Sequence, residues 1–451
     1  MKHFSKIVGA WTQDHLLGRV VRNTSYLFSS STASMGLTFL QGILAALLLG
    51  PENYGKLGII VTFASTVNRL LSFRMGEVVV KYAGQYLALD RKEEAAGVVK
   101  AAGLAEAVTS VVAYLLLVLL APLAARFIVK DPGTAPLIVI YGVALLASLI
   151  FETSTAALQL GNHYRTQAVI NLAQSALTAG LILVAFIAHG SLTEVLGAYL
   201  FGKLLMGVAT TLAAIYWMKP LLGEGWLRAR LSVLPAKAEM AGFALSTNLS
   251  GTINMVFRDS ELLWVGFFLG SVQAGYYKFA LALMNVIALP ITPFVSTTYP
   301  ELARTIARRE WASLRSLLRR TALIAAAWTL GCALVVLVLG QPVLHMLKNG
   351  EYLPAFPAIL ILLIGYGMAN IFFWNRPLLL AMGDPNLPLL VNLLVGAIKT
   401  GLLFVVVRPF GYLAQAGLLS AYLALTVAII VGAGLRRVFS MEKAALAGTP
   451  A

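Results

Sequence analysis

Six basic side chains lie inside stretches that are otherwise apolar: Arg69, Lys203, Arg258, Lys278, Arg376 and Lys399. A charge at the centre of a bilayer costs about 2.5–3.5 kcal/mol on insertion scales, so it is kept where it faces a partner or an aqueous cavity. Guanidinium and ammonium groups around one cavity would hold a phosphate or other anionic group through charge-assisted hydrogen bonds. Acids share the apolar spans as well: Glu77, Glu106 and, as candidates for function, Glu152, Asp259 and Glu261. They admit two readings, charge balance for the cations or a coupling site for protons or sodium ions. Arg258 and Glu261 are three residues apart and could neutralise each other on one helix face. Lys203 and Lys399 lie toward the outer ends of their stretches, where a long stem can carry the ammonium to the interface.

The elements that must position these groups are membrane helices. Only 12% of the residues are charged and 59% are apolar, whereas a soluble domain carries about 25% charged residues. The apolar stretches are far longer than the ten or so alternating residues of a membrane strand, which makes them spanning helices. Twelve are expected, at 24–49, 57–78, 101–125, 136–159, 168–188, 194–217, 241–269, 273–299, 321–346, 355–381, 387–407 and 413–435. Residues 1–22 are amphipathic and lack the compact apolar core of a signal peptide. Cys332, the one cysteine, excludes an intramolecular disulfide, and the five histidines are scattered without metal-ligand spacing. Neither a metal site nor a cofactor motif is expected, and no nucleotide-binding loop is present.

Lys and Arg set the direction of the spans. With both termini cytoplasmic, 23 of the 34 basic residues fall in inner segments, and only Lys56, Arg126, Lys130, Lys348 and Arg408 fall in outer ones. That asymmetry predicts a multi-pass protein of the cytoplasmic (inner) membrane with both ends inside. The net charge of +15 therefore calls for membrane lipids and no nucleic acid. The run from Arg304 to Arg320, apolar at Leu302, Ile306, Leu314 and Leu317, reads as a helix on the anionic inner leaflet.

The chain also repeats itself. Leu49-Gly50-Pro51-Glu52-Asn53-Tyr54-Gly55 returns as Leu269-Gly270-Ser271-Val272-Gln273-Ala274-Gly275, and Gly161, Asn171, Gly180 and Gly190 return as Gly383, Asn392, Gly401 and Gly411. Six spans per repeat is an even number, so the repeats run the same way through the membrane. The expected organisation is an amphipathic cytoplasmic segment 1–22, an N-lobe 23–218, a cytoplasmic linker 219–240, a C-lobe 241–438 and a cytoplasmic tail 439–451. The fold class is all-α, two parallel six-helix repeats around a central cavity. Pro290, Pro293 and Pro377 interrupt spans 8 and 10 and are expected to act as hinges.

The segment LLLGPENYGKLGIIVTF, the segment ELLWVGFFLGSVQAGYYKFALALMNV and the Pro300-Glu301-Leu302 that ends span 8 resemble the multidrug/oligosaccharidyl-lipid/polysaccharide exporter superfamily. Within it the chain is most similar to the polysaccharide-biosynthesis branch, the Wzx-type flippases. That branch commonly carries an acid nine residues before the Leu-Gly glycine, and Glu261 stands there before Gly270. The resemblance implies a flippase that moves an isoprenoid-diphosphate-linked oligosaccharide to the outer leaflet by alternating access, the anionic headgroup held by the cationic cavity; with two complete lobes in one chain, a monomer suffices as the working unit. Two alternatives stand beside it. A cation-coupled multidrug exporter would favour acids in the first lobe, yet Gln41 occupies the repeat equivalent of Glu261. A membrane glycosyltransferase or polymerase would need a sizeable outer loop with acids, and the outer loops are short.

Overall fold

Backbone groups at membrane depth have no water to bond to, so long apolar runs satisfy them internally as helices. The computed structural model describes residues 15–71, 75–223, 255–384 and 386–446, together with 225, 226, 229, 231, 240 and 252, and no strand occurs among them. Most of the amphipathic segment 1–22, most of the linker, the first half of span 7 and the end of the tail lie outside the described residues.

The main helices are α1 (His15–Leu71), α2 (Lys92–Ala124), α3 (Ala135–Ala147), α4 (Phe151–Leu160), α5 (Tyr164–Ile187) and α6 (Leu192–Leu222). They continue as α7 (Glu261–Leu269), α8 (Ser271–Ala288), α9 (Thr292–Ala307), α10 (Trp311–Met346), α11 (Ala355–Ile371), α12 (Asn375–Ala381) and α13 (Asn386–Leu446). Nine stretches among the described residues are long and apolar enough to cross a membrane. They contain eleven of the twelve expected spans, because α1 holds the first two and α13 the last two. Each of those helices folds back at a glycine, Gly50 (φ 70) and Gly411 (φ 70). The seventh span is described at Thr252 and from Met255 onward.

The repeat read from the sequence is visible in the backbone. Gly50 (φ 70, ψ 172) and its counterpart Gly270 (φ 95, ψ −176) share a conformation that only glycine adopts freely. Exposed apolar side chains line α10, with Leu330, Leu334 and Val338 each more than 60% accessible. Such a face suits lipid rather than water.

The chain divides into two compact units. The first comprises Met1–Ala45, Phe63–Ala125 and Pro132–Thr252; its core is built around Val79, Val98, Ala157, Leu158 and Met218. The second comprises Ala46–Thr62, Arg126–Asp131 and Ile253–Ala451, so it takes in the tip of α1 and the residues just after α2 in addition to the second repeat.

Inside the second unit, that tip of α1 crosses α8 with almost no space between backbones. A Cβ on Gly55 would stand 1.9 Å from the Ser271 carbonyl oxygen, and one on Gly275 would stand 1.9 Å from the Pro51 carbonyl oxygen. These four residues are two repeat-related pairs, 51 with 271 and 55 with 275. The same motif therefore meets its own copy, each glycine making room for the other's backbone. Ser271 fixes the crossing further by donating its hydroxyl to the Val129 carbonyl at 2.7 Å.

Candidate functional site

The ionisable groups singled out in the sequence fall into two sets. Arg69, Glu152 and Lys203 belong to the first unit, and Arg258, Asp259, Glu261, Lys278, Arg376 and Lys399 to the second.

In the first unit the fourth span is broken. Helix α3 stops at Ala147, residues Ser148–Ile150 form a turn, and α4 restarts at Phe151. A restarted helix exposes its first N–H groups, which need acceptors at this depth. Glu106 of α2 supplies them: its carboxylate, 3% exposed, accepts the Glu152 N–H at 2.8 Å and the Thr153 N–H at 2.9 Å. A negative charge at that end also suits the helix dipole. Gly207 of α6 permits the break to pack closely, since a Cβ there would lie 2.2 Å from the Ala147 carbonyl oxygen.

The broken helix lines a cavity of about 180 Å³. Its polar walls come from Asn68 at the end of α1, Glu106 and Ser110 of α2, Ser148 and Glu152 at the break, and Lys203 of α6. Phe151 and Met206 complete it with apolar surface. Arg69 lies near enough to Lys203 for the two like charges to interact. The structure thus brings Arg69, Lys203 and Glu152 into one neighbourhood, and adds Glu106 to them.

In the second unit Glu261 and Lys399 form a buried ion pair, 1% and 4% exposed respectively. Lys399 also donates to the Phe257 carbonyl at 2.7 Å. The second carboxylate oxygen of Glu261 accepts from the Tyr277 hydroxyl at 2.9 Å and from Gln415 Nε2 at 2.6 Å. These bonds tie α7, α8 and both arms of α13 together. Sequence spacing offers Arg258 as the partner of Glu261, but a π-helical turn at Met255–Asp259 and a bend at Ser260 precede the start of α7. The two residues consequently do not share a regular helix face. Arg258 is exposed and donates to the Tyr366 hydroxyl.

Lys278 packs its stem over Gly58, donates to the Tyr54 carbonyl at 3.3 Å, and places its ammonium 3.8 Å from the centre of the Tyr54 ring. The Gly55/Gly275 crossing is what delivers Tyr54 to it. Arg376 is exposed in the first turn of α12. That helix restarts after a break at Phe372–Trp374, which lies 224 residues after the Ser148–Ile150 break. Glu152 and Arg376 are thereby equivalent: each is the second residue of the restarted helix in its repeat.

All three prolines sit at helix interruptions. Pro290 is in a 3₁₀ turn (Leu289–Ile291), Pro293 in the first turn of α9 and Pro377 in the first turn of α12, where a proline removes no helical hydrogen bond. The break in span 10 precedes Pro377 instead of following from it.

Sequence reasoning assigns no role to Gln41, which is 3% exposed and donates to the Ser175 carbonyl at 2.9 Å. Its equivalence to Glu261 is the available signal. Gln415 and Tyr277 carry none, because a single polar residue in an apolar span does not reveal which neighbour it meets.

Comparison with known proteins gives a consistent picture. A family model described as polysaccharide biosynthesis protein matches residues 20–306. The curated inner membrane protein YghQ of Escherichia coli K12 is 24% identical over 366 residues, which cover 77% of this chain and 98% of that protein. Among solved structures, an inward-facing multidrug resistance MATE family transporter of the MOP superfamily superposes with a TM-score of 0.74 at 14% identity, over 91% of this chain and 96% of the other. The lipid II flippase MurJ, in an inward closed conformation, does so with a TM-score of 0.70 at 13% identity, over 93% and 90%. The polysaccharide-biosynthesis resemblance and the all-helical membrane fold expected from the sequence are borne out.

Proposed function

The chain belongs to the polysaccharide biosynthesis protein family, and from that premise we propose that it is a flippase of the inner membrane for an isoprenoid-diphosphate-linked oligosaccharide. It works by alternating access, with both termini cytoplasmic and one chain as the working unit. The observation that carries this reading is the paired interruption of spans 4 and 10, with Glu152 and Arg376 at equivalent places. Interrupted helices at corresponding positions of two repeats mark the sites at which transporters handle polar cargo. Arg258 and Arg376, exposed within apolar spans of the second unit, supply the cations for the diphosphate. Lys278, in the same unit, is the reserve. Lys399 is left out of that set because Glu261 matches its charge, and Glu261 is assigned to charge balance rather than ion coupling.

The test is a strain lacking the gene. Lipid-linked glycan should accumulate on the inner leaflet, the intact chain should clear it, and Arg258→Ala should not. Normal glycan export accompanied by lost drug resistance would reject the flippase in favour of a multidrug exporter.

A further inference from the structure

We propose that α10 and α13 of the second unit together hold an anionic phospholipid of the surrounding bilayer, its phosphate bound by Arg319, Arg320 and Arg436. The inference goes beyond the flippase reading and holds whatever cargo the chain moves.

Position comes first. The arginine-rich run from Arg304 to Arg320 does not lay its apolar side on lipid: Leu302, Ile306 and Leu314 are buried in the core of the second unit, and Leu317 packs against it. Lipid is met at the end of the run instead. Arg319 and Arg320 are exposed on α10, and four residues beyond them Leu323 and Ile324 begin its exposed apolar side. Residues four apart share a helix face. Arg436 is exposed on α13 in the same way, in line with exposed Ile429 and Leu425 seven and eleven residues before it. Each guanidinium thus stands where a lipid-facing stripe ends, which is the level of the headgroup phosphates.

The two stripes end at matching depth. Arg315 of α10 pairs with Glu442 of α13, which sets the level of one helix against the other. From that bridge Arg319 lies four residues along α10 and Arg436 six residues back along α13, about 6 and 9 Å at 1.5 Å per residue. Both steps run toward the apolar part of their helix.

Charge separates these three from their neighbours. Glu301, Glu310, Glu442 and Asp384 hold Arg304, Arg308, Arg315 and Arg437 respectively. Arg319, Arg320 and Arg436 have no acid partner among the described residues. Arg309 and Lys443 have none either, but Arg309 lies in the turn before α10 and Lys443 beyond the Glu442 bridge, both away from the stripes. The three arginines that border lipid are therefore available to an external anion, and the guanidinium fork matches a phosphate bidentately. Basic groups between membrane helices at this level bind the headgroups of anionic lipids.

Native mass spectrometry of the purified full-length protein, titrated in detergent with phosphatidylglycerol or phosphatidylcholine, tests the proposal. Phosphatidylglycerol should bind the more tightly of the two. Arg319→Gln, Arg320→Gln and Arg436→Gln should each weaken it about fivefold, and the triple variant about a hundredfold. Should the triple variant fold poorly, the three single variants carry the test. The double variant Arg309→Gln/Lys443→Gln removes charge from the same end of the unit and should bind phosphatidylglycerol as the intact chain does. Equal affinity for the two lipids, or undiminished phosphatidylglycerol binding by the arginine variants, would overturn the site. So would a loss in the Arg309→Gln/Lys443→Gln control as large as that of the triple variant, because net charge alone would then attract the lipid.

Discussion

Gln41 and Glu261 occupy the same place in the two repeats, and each ties its helix to the fifth helix of its own repeat. In the first unit the tie is one neutral hydrogen bond, from the Gln41 amide to the Ser175 carbonyl. In the second it is an ion pair between Glu261 and Lys399, reinforced by Tyr277 and Gln415. One architecture therefore accepts two chemistries at one position, and the difference is in what each demands of its neighbours. The amide needs a single acceptor. The carboxylate needs a countercharge and enough donors to replace water, and four helical segments converge to provide them. The helix pairing is common to both repeats, and the side chains make it a single hydrogen bond in the first unit and an ion pair in the second.

That contrast predicts unequal fragility. Removing one partner of a buried ion pair leaves the other charge stranded, at a cost of about 3–5 kcal/mol. Lys399→Met should therefore lower the thermal midpoint of the detergent-solubilised protein more than loss of the Gln41 tie or of a crossing glycine does. The double variant Glu261→Gln/Lys399→Met should recover most of the loss, because the stranded carboxylate is gone while Tyr277 and Gln415 keep a polar partner. An unshifted midpoint in Lys399→Met would show that the pair contributes nothing and that the lysine is free for another task.

The reciprocal glycine crossing is the next most sensitive feature. Gly275→Ala puts a methyl group where the Pro51 carbonyl oxygen stands, 1.9 Å from the ideal Cβ, so the helices must move apart. Overpacking of this kind costs about 1–3 kcal/mol. Gly55→Ala should do the same through Ser271, and because both act on one crossing their effects should fall short of a sum. Additive losses in the double variant would mean that the two contacts yield independently.

The repeat was readable in the sequence because it rests on glycines at Gly50 and Gly270, whose backbone conformation other residues resist. The spans were readable because hydrocarbon leaves the backbone no alternative to helix. The partners of the buried charges were not. Spacing suggested Arg258 for Glu261, and the helix break at Ser260 removed the shared face on which that suggestion depended. Lys399 lies 138 residues from Glu261, and no local pattern reports a pairing at that distance. Glu106 was visible as an intramembrane acid, but its use as the acceptor for a restarted helix required knowing that span 4 breaks at Ser148. Nothing in ALLASLIFETSTAALQL (144–160) announces the break, since the segment has neither glycine nor proline.

The smallest predicted effect is also the one that tests the comparison most directly. Gln41→Leu removes a neutral side chain whose bond contributes about 1 kcal/mol, and it leaves the Ser175 carbonyl with its own helix as partner. Leucine fills nearly the same volume, so the midpoint should fall only slightly, several times less than for Lys399→Met. A drop as large as that of Lys399→Met would mean that Gln41 is as obligate as the ion pair, and that the two ties differ in charge but not in consequence. The reverse substitution sharpens the point. Gln41→Glu would set a carboxylate against a carbonyl oxygen with no lysine opposite, and the first unit should tolerate it far worse than leucine, because what it lacks is the countercharge and not the space.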